Sequence, residues 1–191
     1  MNDADTELDL SGKLLVAMPG MGDPRFEHSV IFICAHSAEG AMGLIVNQPA
    51  LELGFPDLLE QLGIEPADAD LPNTIHVGGP VEHGRGFVLH SAEYEVAGAT
   101  LRIDHRFSMT ATLEILEDMA NRRGPREALL ALGYSGWGPG QLESEIARNG
   151  WLTVEAASEI VFSSRNRRKW EMALATLGID PLTLSASAGH A

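Results

Sequence analysis

The chain has 191 residues, 45% of them hydrophobic, and a formal charge of −14. That length suits one compact domain burying roughly 70% of its unfolded surface. The charge argues against direct nucleic-acid binding and against an anionic membrane surface, since both need exposed cations. No apolar run approaches the roughly 20 residues that span a bilayer. The first residues (Met1-Asn-Asp-Ala-Asp-Thr-Glu) are acidic, unlike a secretory leader. The expectation is a cytoplasmic protein, and the lone Cys34 allows no intramolecular disulfide.

Residues 1–12 read as an acidic disordered lead, 13–182 as a single domain and 183–191 as a disordered tail. Lys13–Met18 and Ser29–His36 read as strands, the second apolar at nearly every position, as a strand covered on both faces would be. Met42–Asn47 reads as a third strand. Phe55–Leu62 reads as a short helix, with Pro56 in its first turn and Gly63 past its end. Residues 64–73 form an acidic connection. Thr74–Val77, Gly86–His90, Ala99–Ile103 and Arg106–Met109 read as strands.

Thr110–Arg123 is the clearest helix, with Leu113, Ile115, Leu116, Met119 and Ala120 on its apolar face. Glu127–Leu132 reads as a strand, Pro139–Asn149 as a helix and Trp151–Val154 as a strand. The last helix is read over Arg165–Leu177. Trp170, Ala173, Leu174 and Leu177 fall on one face at i, i+3, i+4, i+7. Strands and helices mix without strict alternation, which predicts an α/β single-domain sandwich: a mixed β-sheet covered by helices.

The densest chemistry lies in Gly133-Tyr-Ser-Gly-Trp-Gly-Pro-Gly-Gln-Leu-Glu143, read as a glycine-rich loop between a strand and a helix. A nucleophile elbow needs G-x-S-x-G, but Trp137 stands where the last glycine should be, and only His190 follows as a histidine. An anion could sit on Gly136, Gly138 and Gly140 at the helix start, although Glu143 would repel it. A tight turn docking the helix on the sheet is the simpler account. Neither Gly20-Met-Gly22 nor Gly136-Trp-Gly138 has the third glycine of a dinucleotide loop.

His76, His83 and His90 recur every seven residues, but the glycines between them forbid a common helix, and an odd spacing on a strand alternates faces. No metal site and no cofactor are expected. Glu143 and Glu145 point about 200° apart on a helix, so they form no catalytic pair, and Glu145 can meet Arg148. Arg165, Arg167, Arg168 and Lys169 crowd a helix start against its dipole. The economical expectation is that they pair with the chain's own carboxylates. Cys34 reads as a buried structural thiol.

Several long motifs occur together in order. Met18-Pro-Gly-Met21-Gly-Asp23-Pro24-Arg-Phe26-Glu-His-Ser29-Val30 comes first, followed by His36, Gly43-Leu-Ile45, Asn47 and Pro49. Gly78-Gly-Pro80-Val81 and Arg85-Gly-Phe-Val-Leu-His90 form the middle block. The Gly133–Glu143 stretch, with Glu145, Ile146 and Trp151, forms the last. In these blocks the chain resembles the AlgH/YqgE family of small bacterial proteins over roughly residues 13–180. The resemblance implies an α/β sandwich of uncommon topology in the cytosol, and it implies no reaction. Members are often labelled transcriptional regulators, a role that at this net charge is easier through a protein contact than through DNA.

The resulting expectation is a non-enzymatic protein acting on a protein partner or small ligand, as a monomer or weak oligomer. Its site would gather three loops into one shallow cleft: Met18, Pro19, Met21, Asp23 and Pro24; Gly78, Gly79, Pro80 and Arg85; and Ser135, Trp137, Gln141 and Glu143. The rival expectation is an anion or nucleotide binder, or an enzyme, using the 133–143 loop and Arg85.

Overall fold

In the computed structural model, which describes residues 8–20, 23–67 and 74–183, ten strands join into one mixed, mostly antiparallel sheet. The strands are β1 (Lys13–Ala17), β2 (Val30–Ser37), β3 (Gly40–Ile45), β4 (Pro49–Gly54), β5 (Thr74–Val77), β6 (Val81–Ser91), β7 (Thr100–Arg102), β8 (Phe107–Thr110), β9 (Ala128–Trp137) and β10 (Trp151–Glu155). The helices are α1 (Phe55–Gln61), α2 (Leu113–Ala120), α3 (Gln141–Ala147), α4 (Ser158–Val161) and α5 (Lys169–Thr176). The main path runs β10-β1-β2-β3-β9-β6-β8-β7. β5 runs parallel to the first half of β9, and β4 pairs with β5.

β9 is the hub. Its residues Ser135–Trp137 pair with β3, Leu130–Leu132 with β5, and its other edge pairs with β6. Side chains alternate across the sheet, so each strand feeds two cores. On β1 and β2, Leu14, Val16, Val30, Phe32 and Cys34 enter the core closed by α4 and α5 through Ile160, Val161, Trp170, Ala173 and Leu174. Leu15, Ala17, Ile31 and Ile33 point to the opposite face, which Leu142 of α3 helps to close. Farther along that face, Val88 and Leu130 meet Phe55 and Leu59 of α1 and Ile115, Leu116 and Ala120 of α2. The expected sandwich of a mixed sheet covered by helices is what forms, and β2 is buried on both faces.

Several boundaries differ from the sequence reading. β9 continues through Gly133-Tyr-Ser-Gly-Trp137, so that stretch is strand, and the connection to α3 shrinks to Gly138-Pro-Gly140. Helix α3 begins at Gln141, after the left-handed Gly140 (φ 71°). Thr110 belongs to β8, α2 starts only at Leu113, and Leu113 is 49% exposed. A 3-10 turn over Asn166–Arg168 precedes α5, and Leu177 lies outside the buried face at 45% exposure. Strand β4 and helix α4 occupy segments for which no element was expected. Residues 1–7 of the expected lead, 68–73 of the expected connection and 184–191 of the expected tail lie outside the described residues.

Candidate functional site

The connection between β5 and β6 crosses directly over β9. A Cβ on Gly79 would lie 2.1 Å from the carbonyl carbon of Tyr134, and one on Gly78 would lie 2.3 Å from the Gly133 oxygen. Only glycine allows backbones to approach this closely. The Gly78 carbonyl accepts the Ile45 N–H at 2.8 Å and the Ser135 hydroxyl at 3.2 Å, tying β3, β5 and β9 together. Ser135 is 1% exposed and lies within a strand. It is therefore a fastener, placed neither on a strand-to-helix turn nor facing solvent as a nucleophile would be.

Val81, Gly136 and Trp137, beside this crossing, line two grooves. The larger, of about 850 Å³, is lined by Met42, Phe87, Met109 and Tyr134, with His36, Ser37, Glu39 and Arg85 at its polar positions. The smaller, of about 430 Å³, is lined by Asp23, Phe26, Pro80, Gln141, Glu145 and Trp151 among others.

Charged groups around the grooves are mostly committed. Asp23 caps the 3-10 turn Pro24–Phe26 and binds Arg25, with 2.7 Å between Oδ2 and Nη2; the Arg25 hydrogen bonds hold its carboxyl below the ordinary carboxylate range. The Arg85 guanidinium lies over the Phe87 ring at 5.1 Å and 3.5 Å from Glu82. Nδ1 of His36 accepts the Leu10 N–H at 3.0 Å, so Nε2 carries the ring proton and donates it to Glu143. Glu143 titrates below its ordinary value, first through its own backbone N–H and then through His36.

The start of α3, weighed as an anion site against a tight docking turn, is likewise committed. The helix has seven residues, and the Gly138 N–H is already taken by the Gln141 side chain at 3.0 Å. The expected Glu145–Arg148 pair does not form. Glu145 instead accepts from the Trp151 indole at 3.3 Å through Oε1, while its buried Oε2 has no partner among the described residues.

Of the residues expected in one cleft, Asp23, Pro80, Trp137 and Gln141 meet in the smaller groove, and Arg85 lines the larger one together with Trp137. Gly78, Gly79 and Ser135 are buried in the crossing beneath. Glu143 acts through His36. Met18 extends the β1–β10 edge through a 3.1 Å bond from its N–H to the Gly150 carbonyl, Pro19 lines neither groove, and Pro24 lines a separate surface hollow. Met21 lies outside the described residues. Sequence reasoning missed Phe26, Glu145 and Trp151 as groove residues, although all three stand in the matched motifs.

The other candidates resolve separately. His76 is buried, with Nδ1 and Nε2 near the Leu130 carbonyl and the Asn166 side chain; burial and the Lys169 charge push its pKa down to about 4. His90 contacts Thr110 at 2.8 Å. Among the described residues, no three His, Cys, Asp or Glu side chains are grouped to hold a metal. Cys34 is buried, which drives its thiol pKa upward. Arg165, Arg167 and Arg168 make no ion pair with a described carboxylate. Lys169 turns fully inward to the carbonyls of Val46 and Val161, so the expected internal pairing of this cluster is not what these residues do.

The AlgH-like family model matches residues 14–182. A UPF0301 protein of Cereibacter sphaeroides is 59% identical over 184 residues, covering 96% of this chain and 100% of the relative. Another, from Ruegeria pomeroyi, is 61% identical over 185 residues with the same coverage. The solution structure of the AlgH protein from Pseudomonas aeruginosa superposes with a TM-score of 0.75 at 36% identity, covering 100% of both chains. A Corynebacterium diphtheriae protein shares the fold, at a TM-score of 0.73 and 21% identity over 97% of this chain and 94% of its own. No helix among the described residues is long and apolar enough to cross a membrane. With its motif glycines packed into one backbone crossing and the match extending over nearly all of the described domain, the chain belongs to the AlgH-like family.

Proposed function

We propose that this protein is a non-enzymatic binding module that holds a partner segment or small ligand across the two grooves flanking Val81, Gly136 and Trp137. The observation that carries this reading is that two grooves, of about 850 Å³ and 430 Å³, share three lining residues. Clefts of this size suit ligand binding, the larger by its mostly apolar wall and the smaller by its mix of aromatic and charged side chains. The larger groove offers Met42 and Met109, side chains that adapt to varied apolar shapes. Nucleophilic catalysis has little support, because Ser135 and Cys34 are both buried and committed to the interior. A regulatory role fits contact with another protein better than contact with DNA, given the charge of −14.

The test is a thermal-shift screen against peptides and small metabolites, run in parallel on Val81→Asp. Val81 is 37% exposed, so the variant should fold while placing a charge between the grooves. A ligand at 100 times its Kd stabilises the native state by about 2.7 kcal/mol, which is readily seen. Shifts that Val81→Asp abolishes support the reading, and shifts that it leaves intact place the ligand elsewhere.

A further inference from the structure

We infer that the smaller groove is a receptor for an alkylammonium group, presented as an exposed lysine side chain of a protein partner. The inference rests on the proposed binding role of the grooves and names the chemistry of one of them. Its central observation is Glu145. One carboxylate oxygen accepts the Trp151 indole N–H, the other is buried with no donor among the described residues, and Glu145 lines the groove. A buried carboxylate oxygen without a partner is costly, and a charged donor satisfies it best.

The surroundings suit a cation on an apolar stem. Phe26, Trp137 and Trp151 form a chain of edge-packed rings, 5.8 Å and 6.3 Å between centroids, and all three line this groove. Aromatic rings beside a carboxylate attract ammonium groups through the ring quadrupole as well as charge. Asp23 and Arg25 neutralise one another. Arg148, exposed on the rim, is the one groove cation with no carboxylate partner among the described residues, and it competes for Glu145. A lysine within a polypeptide fits better than a free amine, because Val81, Gly136 and Trp137 also line the larger groove, within reach of residues that flank the lysine. The net charge of −14 also draws a basic partner toward this surface.

The experiment is an NMR titration of the full chain, followed through the Trp151 indole N–H resonance, which reports on Glu145 directly. The probes are acetyl-Gly-Lys-Gly-amide, its norleucine analogue and n-butylammonium chloride. The lysine peptide should shift that resonance saturably and bind at least tenfold tighter than the norleucine peptide. Glu145→Gln keeps an acceptor for the indole and should weaken binding at least tenfold, whereas Arg148→Ala should tighten it. Equal binding of the norleucine peptide, or unchanged binding by Glu145→Gln, would overturn the inference. n-Butylammonium binding more tightly than the lysine peptide would move the ligand to a free amine and overturn the assignment to a partner's lysine. If no ammonium probe binds while other ligands still give shifts that Val81→Asp abolishes, this inference falls and the binding-module reading stands.

Discussion

Lys169, the first residue of α5, donates from Nζ to the carbonyl oxygen of Val46, 123 positions earlier, at 2.7 Å. The same nitrogen donates to Val161, at the end of α4, at 2.9 Å. The side chain is fully buried, and desolvation pushes its pKa down from 10.5 to about 7. One lysine thereby pins the end of β3 and the C-terminus of α4 to α5.

That burial sets a pH dependence. The unfolded chain keeps the lysine proton up to pH 10.5, whereas the folded chain gives it up near 7, so the unfolded state binds more protons between these values. Stability therefore rises with pH across this window, by an amount on the order of 5 kcal/mol at its limit. Tyr94, whose pKa burial and Asp118 push up, opposes the rise only above about pH 10. Guanidinium denaturation midpoints should climb from pH 7 to 9.5 in the native protein and stay nearly flat in Lys169→Met. A parallel climb in both proteins would mean that another group sets the slope.

His76 sets the acid limb. Its folded pKa of about 4 lies below the ordinary 6.5, chiefly through burial, so the neutral ring is the folded form and stability is lost as pH falls from 6.5 toward 4. The loss attributable to His76 is roughly 3 kcal/mol. In His76→Gln the urea midpoint should fall less over this interval. It should not become flat, because burial also depresses His90.

The backbone crossing beneath the grooves predicts a sharp contrast between two glycines. In Gly79→Ala the new methyl would meet the Tyr134 carbonyl carbon and the Ser135 nitrogen at 2.1 Å and 2.4 Å, atoms that cannot yield without moving β9. The cost should be at least about 3 kcal/mol, enough to leave much of the protein unfolded. Gly84, in the outer part of β6, has nothing within 4 Å of its added Cβ, so Gly84→Ala should stay within about 0.5 kcal/mol of the native protein by thermal melt.

These cases also show what the sequence could reveal. The continuous apolar runs of β1 and β2 told their fates in advance, because burial on two faces leaves a pattern in residue type. The Gly133–Trp137 stretch misled for the opposite reason. Its glycines are needed for a neighbouring backbone to cross over a strand, and the same composition marks a loop. Strand β4 carries Pro49 and a 93%-exposed Leu51, so it offers no alternation to find. For Lys169 the expectation is an ion pair with one of the chain's own carboxylates, because charged residues are seldom buried, and nothing local announces the two carbonyls that receive it. Of the grooves, the three motif blocks pointed to Asp23, Pro80 and Trp137. Glu145 was assigned to Arg148 by helix spacing alone, because the competing Trp151 indole is a tertiary contact.

The tie between Leu10 and His36 gives the last prediction. The Leu10 N–H donates to Nδ1 of His36, and the Leu10 side chain packs into the core with Leu15, Ile31 and Trp137. His36 therefore holds the residues ahead of β1 at the edge of the larger groove. In His36→Phe the ring volume remains but the acceptor is lost, leaving a part-buried amide unpaired at about 1 kcal/mol. Hydrogen exchange at the Leu10 amide should quicken severalfold to tenfold, while exchange in the middle of β2 stays slow. Glu143→Gln is the control, since its side-chain oxygen still accepts from Nε2 and leaves Nδ1 free for Leu10. Its Leu10 exchange should match the native protein, and equal acceleration in both variants would mean that the Glu143 charge, not the Nδ1 acceptor, fixes this segment.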